Sequence, residues 1–101
     1  MQSTFVPKDL QGVLWSRDIS SVDLKKDKNY IIHQVLMYGT LEQIKWLEKV
    51  YTKKEIKSEF VRNPRKLYTR SAFNFIKNYI LGINKSLPPA YYVKDLHRNI
   101  R

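Results

Sequence analysis

Residues 27–61 read DKNYIIHQVLMYGTLEQIKWLEKVYTKKEIKSEFV, and their spacing predicts three short amphipathic helices joined by two tight turns. The first gathers Tyr30, Ile31, Ile32, Val35 and Leu36 on one stripe. Gly39 is expected to end it in the left-handed conformation, and Thr40 to cap the next helix. Thr40-Leu-Glu-Gln43 fits a capping box, in which the threonine hydroxyl and the glutamine side chain each satisfy a backbone N–H. Leu41, Ile44, Leu47 and Val50 then share a face of the second helix. Thr52-Lys-Lys-Glu55 is a second capping box, opening a third helix with Ile56, Phe60 and Val61 inward. Two such boxes, each followed by a helical apolar period, specify structure and carry no catalytic chemistry.

Towards the N-terminus, residues 1–12 are expected to be a flexible lead-in, with Pro7 and Gly12 as breakers. Trp15, in the short apolar group Val13-Leu14-Trp15, is expected to lie over the core as a lid, because large aromatics dominate burial in small domains. Ile19, Val22 and Leu24 are too irregularly spaced for a helix and read as anchors of a loop.

Towards the C-terminus, Pro64 stops the third helix and biases Asn63 to an extended conformation. Thr69 is a cap for a fourth helix over 70–81, with Ala72, Phe73, Ile76, Tyr79 and Ile80 inward and Phe75 half exposed on the flank. Gly82 followed by Ile83 matches a glycine C-cap with its trailing hydrophobic contact. Pro88-Pro89 ends regular structure and begins a tail over 88–101. Tyr91, Tyr92, Val93 and Leu96 of that tail form one more short helix, or else an aromatic-basic arm with Lys94, His97, Arg98 and Arg101. The expectation is an all-α protein: a compact bundle of four to five short helices with tight capped turns, its domain spanning 13–87.

Length allows one core, and a chain of this size buries roughly 60–70% of the surface it exposes when unfolded. The chain has no cysteine, which removes disulfides and thiolate metal sites and fits a reducing cytoplasm. It has no apolar run of about 18 residues and no signal-peptide layout in MQSTFVPKDL, so a soluble cytoplasmic protein without a membrane span is expected. Nineteen Lys and Arg against nine Asp and Glu give a net charge of +10, distributed unevenly. Residues 1–51 hold seven basic and six acidic side chains, and residues 52–101 hold twelve and three. From Glu59 to Asp95 no acidic residue intervenes, while Arg62, Arg65, Lys66, Arg70, Lys77, Lys85 and Lys94 do. A one-sided basic field attracts polyanions or an acidic protein surface; the plainer reading is a solvated, solubilising surface.

His33 and His97 have no cysteine partners and no helical His-x-x-x-His spacing, so no metal site is expected. Three isolated glycines make no phosphate loop, and Glu42, Glu48, Glu55 and Glu59 read as capping or helix-face groups. No cofactor is implied and an enzyme is disfavoured. A helix-turn-helix over the second and third helices fits poorly, since Leu47 would fall on the slot for a small residue and Lys57 on a buried one. If DNA is a partner, Arg70 and Asn74 are the base-reading candidates and Arg62, Arg65 and Lys66 the phosphate contacts. The partner surface expected from the residues comprises Arg62, Arg65, Lys66, Arg70, Asn74 and Lys77, with Tyr91, Tyr92 and Arg98 as a secondary surface.

A wider pattern comprises Leu14-Trp15 with Asp18, Ile31-Ile32, Val35-Leu36, Tyr38-Gly39, Leu41-Glu42 and Lys45-Trp46-Leu47. It continues through Tyr51-Thr52-Lys-Lys-Glu-Ile56, Ser71-Ala72, Asn74-Phe75 and Leu81-Gly82-Ile83. Over about residues 13–87 the chain resembles a small all-helical bacterial family of unknown function whose members are frequently encoded beside AbiEii-type nucleotidyltransferase toxins. Ile76 departs from that pattern, standing where a tryptophan would follow the Asn-Phe pair. The resemblance implies the antitoxin of a toxin–antitoxin pair, which neutralises its cognate toxin by direct contact and also has scope to repress its own operon. The DNA-binding regulator is the alternative.

Overall fold

Thr40 and Thr69 each cap the helix that follows them. A computed structural model of the chain describes residues 6–94 and contains four α-helices: α1 (Lys28–Tyr38), α2 (Leu41–Val50), α3 (Lys53–Arg62) and α4 (Arg70–Phe75). A π-helical turn, Ile76–Ile80, continues α4, and 3-10 helices occupy Lys8–Gly12, Ile19–Ser21 and Pro89–Tyr91. Among the described residues the only β-pairing is a single parallel bridge between Tyr68 and Val93, so the fold class is all-α. No helix among them is long and apolar enough to cross a membrane. The chain divides into two compact units, Met1–Thr52 and Lys53–Arg101.

In the N-terminal unit, α1 is buried on every side from Ile31 to Leu36. That includes two polar side chains outside the expected stripe, His33 and Gln34. Gln34 is accommodated because its amide donates to the Val13 carbonyl at 2.7 Å. Asp27 precedes α1 without capping it. Its carboxylate turns back to accept from the Asp23 N–H at 2.9 Å and to meet the Arg17 guanidinium at 3.0 Å. Thr40 and Gln43 form the expected capping box, at 3.1 and 2.9 Å. Ile44 and Leu47 point into the core, but Leu41 is exposed: as the first residue of α2 it precedes the first complete turn and lies outside the packed face.

Gly39 differs from expectation in its reason for being glycine. Its φ of −80° and ψ of 163° are extended, not left-handed. The Gly39 N–H closes the last turn of α1 on the Val35 carbonyl, and the chain passes straight into the extended Thr40. A Cβ at Gly39 would lie 2.6 Å from the Val35 oxygen, so close approach of the backbone demands the glycine.

Lys8–Gly12, expected within the flexible lead-in, is a 3-10 helix that buries Leu10 completely. Gln11 fastens it to the following loop, donating to the Leu14 and Arg17 carbonyls and accepting from the Ile19 N–H. Leu10, Val13 and Leu14 fill the place expected for Trp15, which is instead 57% exposed and packs edge-on against Tyr38 with ring centroids 4.7 Å apart. Trp15 is therefore no lid.

In the C-terminal unit, Ile56 and Phe60 of α3 are buried and Pro64 follows the helix end, as expected. Thr69 caps α4 by accepting from the Ala72 N–H at 3.1 Å. The inward face of α4 changes at the π turn. Leu81 donates to the Ile76 carbonyl five residues back, so the buried position after Ile76 is Leu81. Tyr79, expected inward on a 3.6-residue period, is 78% exposed because the wider turn rotates it out. Gly82 takes the left-handed conformation (φ 62°), and Ile83 donates to the Lys77 carbonyl six residues back, completing the expected cap.

Candidate partner-binding site

The basic field of the C-terminal unit is set on a frame of aromatic rings. Phe60, Tyr68, Phe73 and Tyr92 are buried together, with Tyr92 4.8 Å from the rings of both Phe60 and Phe73. The Tyr92 hydroxyl donates to the Phe60 carbonyl at 2.8 Å. Tyr68 and the segment after the Pro-Pro pair are joined by backbone: Tyr68 donates to the Tyr92 carbonyl, and Lys94 donates to that of Tyr68. Burial pushes the Tyr68 hydroxyl well above its ordinary pKa; Tyr92 adds to the rise and Arg65 opposes it. Tyr92 is thus a core residue, which removes it from the secondary partner surface expected from sequence. Its neighbour Tyr91 is 61% exposed. Leu96, His97, Arg98 and Arg101, the remainder of that expected surface or arm, lie outside the described residues.

Of the main set, Arg62, Arg65, Lys66, Arg70 and Asn74 are exposed. Lys77 is different. Half-buried, it donates from Nζ to the Ile83 carbonyl at 3.1 Å and to Asn78 Oδ1 at 3.2 Å. Its ammonium holds the carbonyl of the residue that follows the Gly82 turn, which fixes the chain beyond the helix end.

Arg62 belongs to a concave surface that the sequence did not single out. One depression of about 470 Å³ is lined by Val61, Arg62, Pro64, Lys85, Leu87, Tyr91 and neighbouring residues. A second, of about 510 Å³, is lined by Lys54, Lys57, Ser58, Val61, Arg62, Ile83, Asn84 and Lys85. The two share Val61, Arg62 and Lys85, so they adjoin. Among the described residues neither lining contains a carboxylate. Lys54, Lys57, Ser58, Val61 and Arg62 follow an i, i+3, i+4, i+7, i+8 spacing, one face of α3 that its charged residues concealed beside the apolar stripe. Lys85 gave no local signal; it reaches the site because Gly82 turns the chain back.

Among the described residues no group of three or more His, Cys, Asp or Glu side chains is placed to hold a metal ion. A family of unknown function, DUF6922, matches residues 10–60, half of the chain. No curated protein and no solved structure matches it.

Proposed function

We propose that the chain, which belongs to the DUF6922 family of unknown function, is a non-catalytic binding protein, the antitoxin of a nucleotidyltransferase-type toxin. The observation that carries the proposal is the segregation of charge. Residues 53–101, one structural unit, hold twelve basic and three acidic side chains, whereas residues 1–52 are nearly balanced with seven and six. The exposed Arg62, Arg65, Lys66 and Arg70 follow the last acidic residue of α3: Arg62 ends that helix, Arg65 and Lys66 sit in the short loop after it, and Arg70 begins α4. Arginine's planar donors pair bidentately with carboxylates, and loops on a rigid frame commonly carry binding residues. Nucleotidyltransferases bind metal through clustered carboxylates, and a basic surface laid against such a cluster blocks both metal and nucleic acid.

One observation supports a DNA-binding reading beside it: Arg70 and Asn74 are both exposed, one turn apart on α4. Salt separates the two. Contacts to several phosphates weaken binding by roughly 0.9 log units per log unit of salt for each phosphate, while an apolar-centred protein interface loses far less. The test is capture of the adjacent gene's product, which this reading requires to be a nucleotidyltransferase, in parallel with binding to an operator fragment, at about 50 and about 200 mM salt. Salt-tolerant capture of the enzyme is expected. Steeply salt-dependent operator binding without capture would replace the antitoxin with a regulator.

A further inference from the structure

We propose that the paired depressions along α3 are a docking groove for a short acidic peptide segment with apolar side chains; the proposal rests on the partner-binding reading above and names the chemistry of the partner at one place.

The floor and the rim set two requirements. Val61, Ile83, Leu87 and Pro64 supply aliphatic surface, while Lys54, Lys57, Arg62 and Lys85 supply cations, and among the described residues no acidic side chain lines either depression. An occupant must therefore bury apolar groups and present negative charge beside them. A nucleic-acid backbone meets only the second requirement, and with Tyr92 buried, Tyr91 is the one exposed aromatic among the described lining residues, a poor stacking platform for successive bases. A peptide alternating carboxylates with leucine-like side chains meets both. Each depression, at about 470 and 510 Å³, takes one or two such side chains.

The groove is built before any partner arrives. Lys77 ties the Ile83 carbonyl to α4, and the Ile83 N–H is tied to the Lys77 carbonyl, which fixes the wall carrying Asn84 and Lys85. On the other side, the hydroxyl of Tyr92 anchors the post-proline segment to the end of α3. Walls held by hydrogen bonds lose little freedom on binding, so modest contacts suffice for affinity.

The probe is a fluorescein-labelled nine-residue peptide of alternating glutamate and leucine, read by anisotropy against the full chain. Saturable binding is expected. Arg62→Glu/Lys85→Glu should weaken it at least tenfold. Lys45→Glu/Lys49→Glu, which changes net charge equally at exposed positions of α2 outside the linings, should change it less than threefold. A peptide with serine replacing every leucine should bind at least tenfold more weakly. Circular dichroism confirms that both variants, altered only at exposed residues, remain folded. Equal weakening by the two variants, equal binding of the serine peptide, or displacement by single-stranded DNA as effective as by unlabelled peptide would each overturn the proposal. The assay contains no toxin, so its failure leaves the capture experiment standing, and a failed capture leaves the groove standing.

Discussion

Two glycines end helices in this chain for different reasons, and substitution separates them. Gly82 has φ 62° with open space around its missing Cβ, so alanine there costs roughly 1–2 kcal/mol of left-handed strain. Gly39 has an ordinary backbone but no room, and alanine there costs about 1–3 kcal/mol by displacing the Val35 carbonyl that closes α1. Asparagine tolerates the left-handed region, so Gly82→Asn should be milder than Gly82→Ala, while Gly39→Asn should be no milder than Gly39→Ala. Denaturant midpoints of the four variants decide this; an asparagine rescue at Gly39 would contradict the steric account. Both positions were legible as helix ends. The cause at Gly39 was not, because the approach of Val35 to that backbone follows from the extended run into Thr40, which composition does not encode.

The aspartates of the loop before α1 predict a pH response. Asp23 accepts from the Lys26 and Lys25 N–H groups and Asp18 from the Ser20 N–H and hydroxyl, which holds both carboxyls below the ordinary value of 3.8. A carboxyl lowered by folding contributes stability that is present above its unfolded value and lost as pH falls through the folded one. Carboxyl-resolved NMR titration should find both midpoints below 3.8, with loop resonances shifting over the same acid range. Midpoints at or above that value would show the turn hydrogen bonds to be absent in solution.

At the scale of the element, α2 shows how far periodicity reads. Its cap, its length and the burial of Ile44 and Leu47 were all written in Thr40–Val50. Leu41 was assigned to the same face and is 63% exposed, because a periodic pattern does not say where packing stops. Leu47→Ala should therefore cost about 2–5 kcal/mol and Leu41→Ala less than about 0.5 kcal/mol. Equal shifts of the unfolding midpoint would mean that the face has been misplaced. The last helix was legible to Ile76 and misread beyond it. A π turn has no distinct composition, so Tyr79 carried an inward expectation while Leu81 took the buried place. Trp15 was misread for a related reason: an aromatic beside a buried Leu14 looks like core until its ring is found against Tyr38.

For the whole molecule, charge rather than packing carries the functional argument, and charge is the part that sequence reports without loss. The basic half was visible as residues, and the structure shows that it coincides with one unit. The concavity was not visible, because Lys54 and Lys85 meet only after Pro64 and Gly82 redirect the chain. The most direct test of the central claim is titration calorimetry of the intact chain against the product of the adjacent gene. The account predicts a saturable isotherm, weakened at least about tenfold, or about 1.4 kcal/mol, by the charge reversal Arg65→Glu/Lys66→Glu in a variant that remains folded. No heat of binding by the natural chain, or an isotherm unchanged by the reversal, would contradict it.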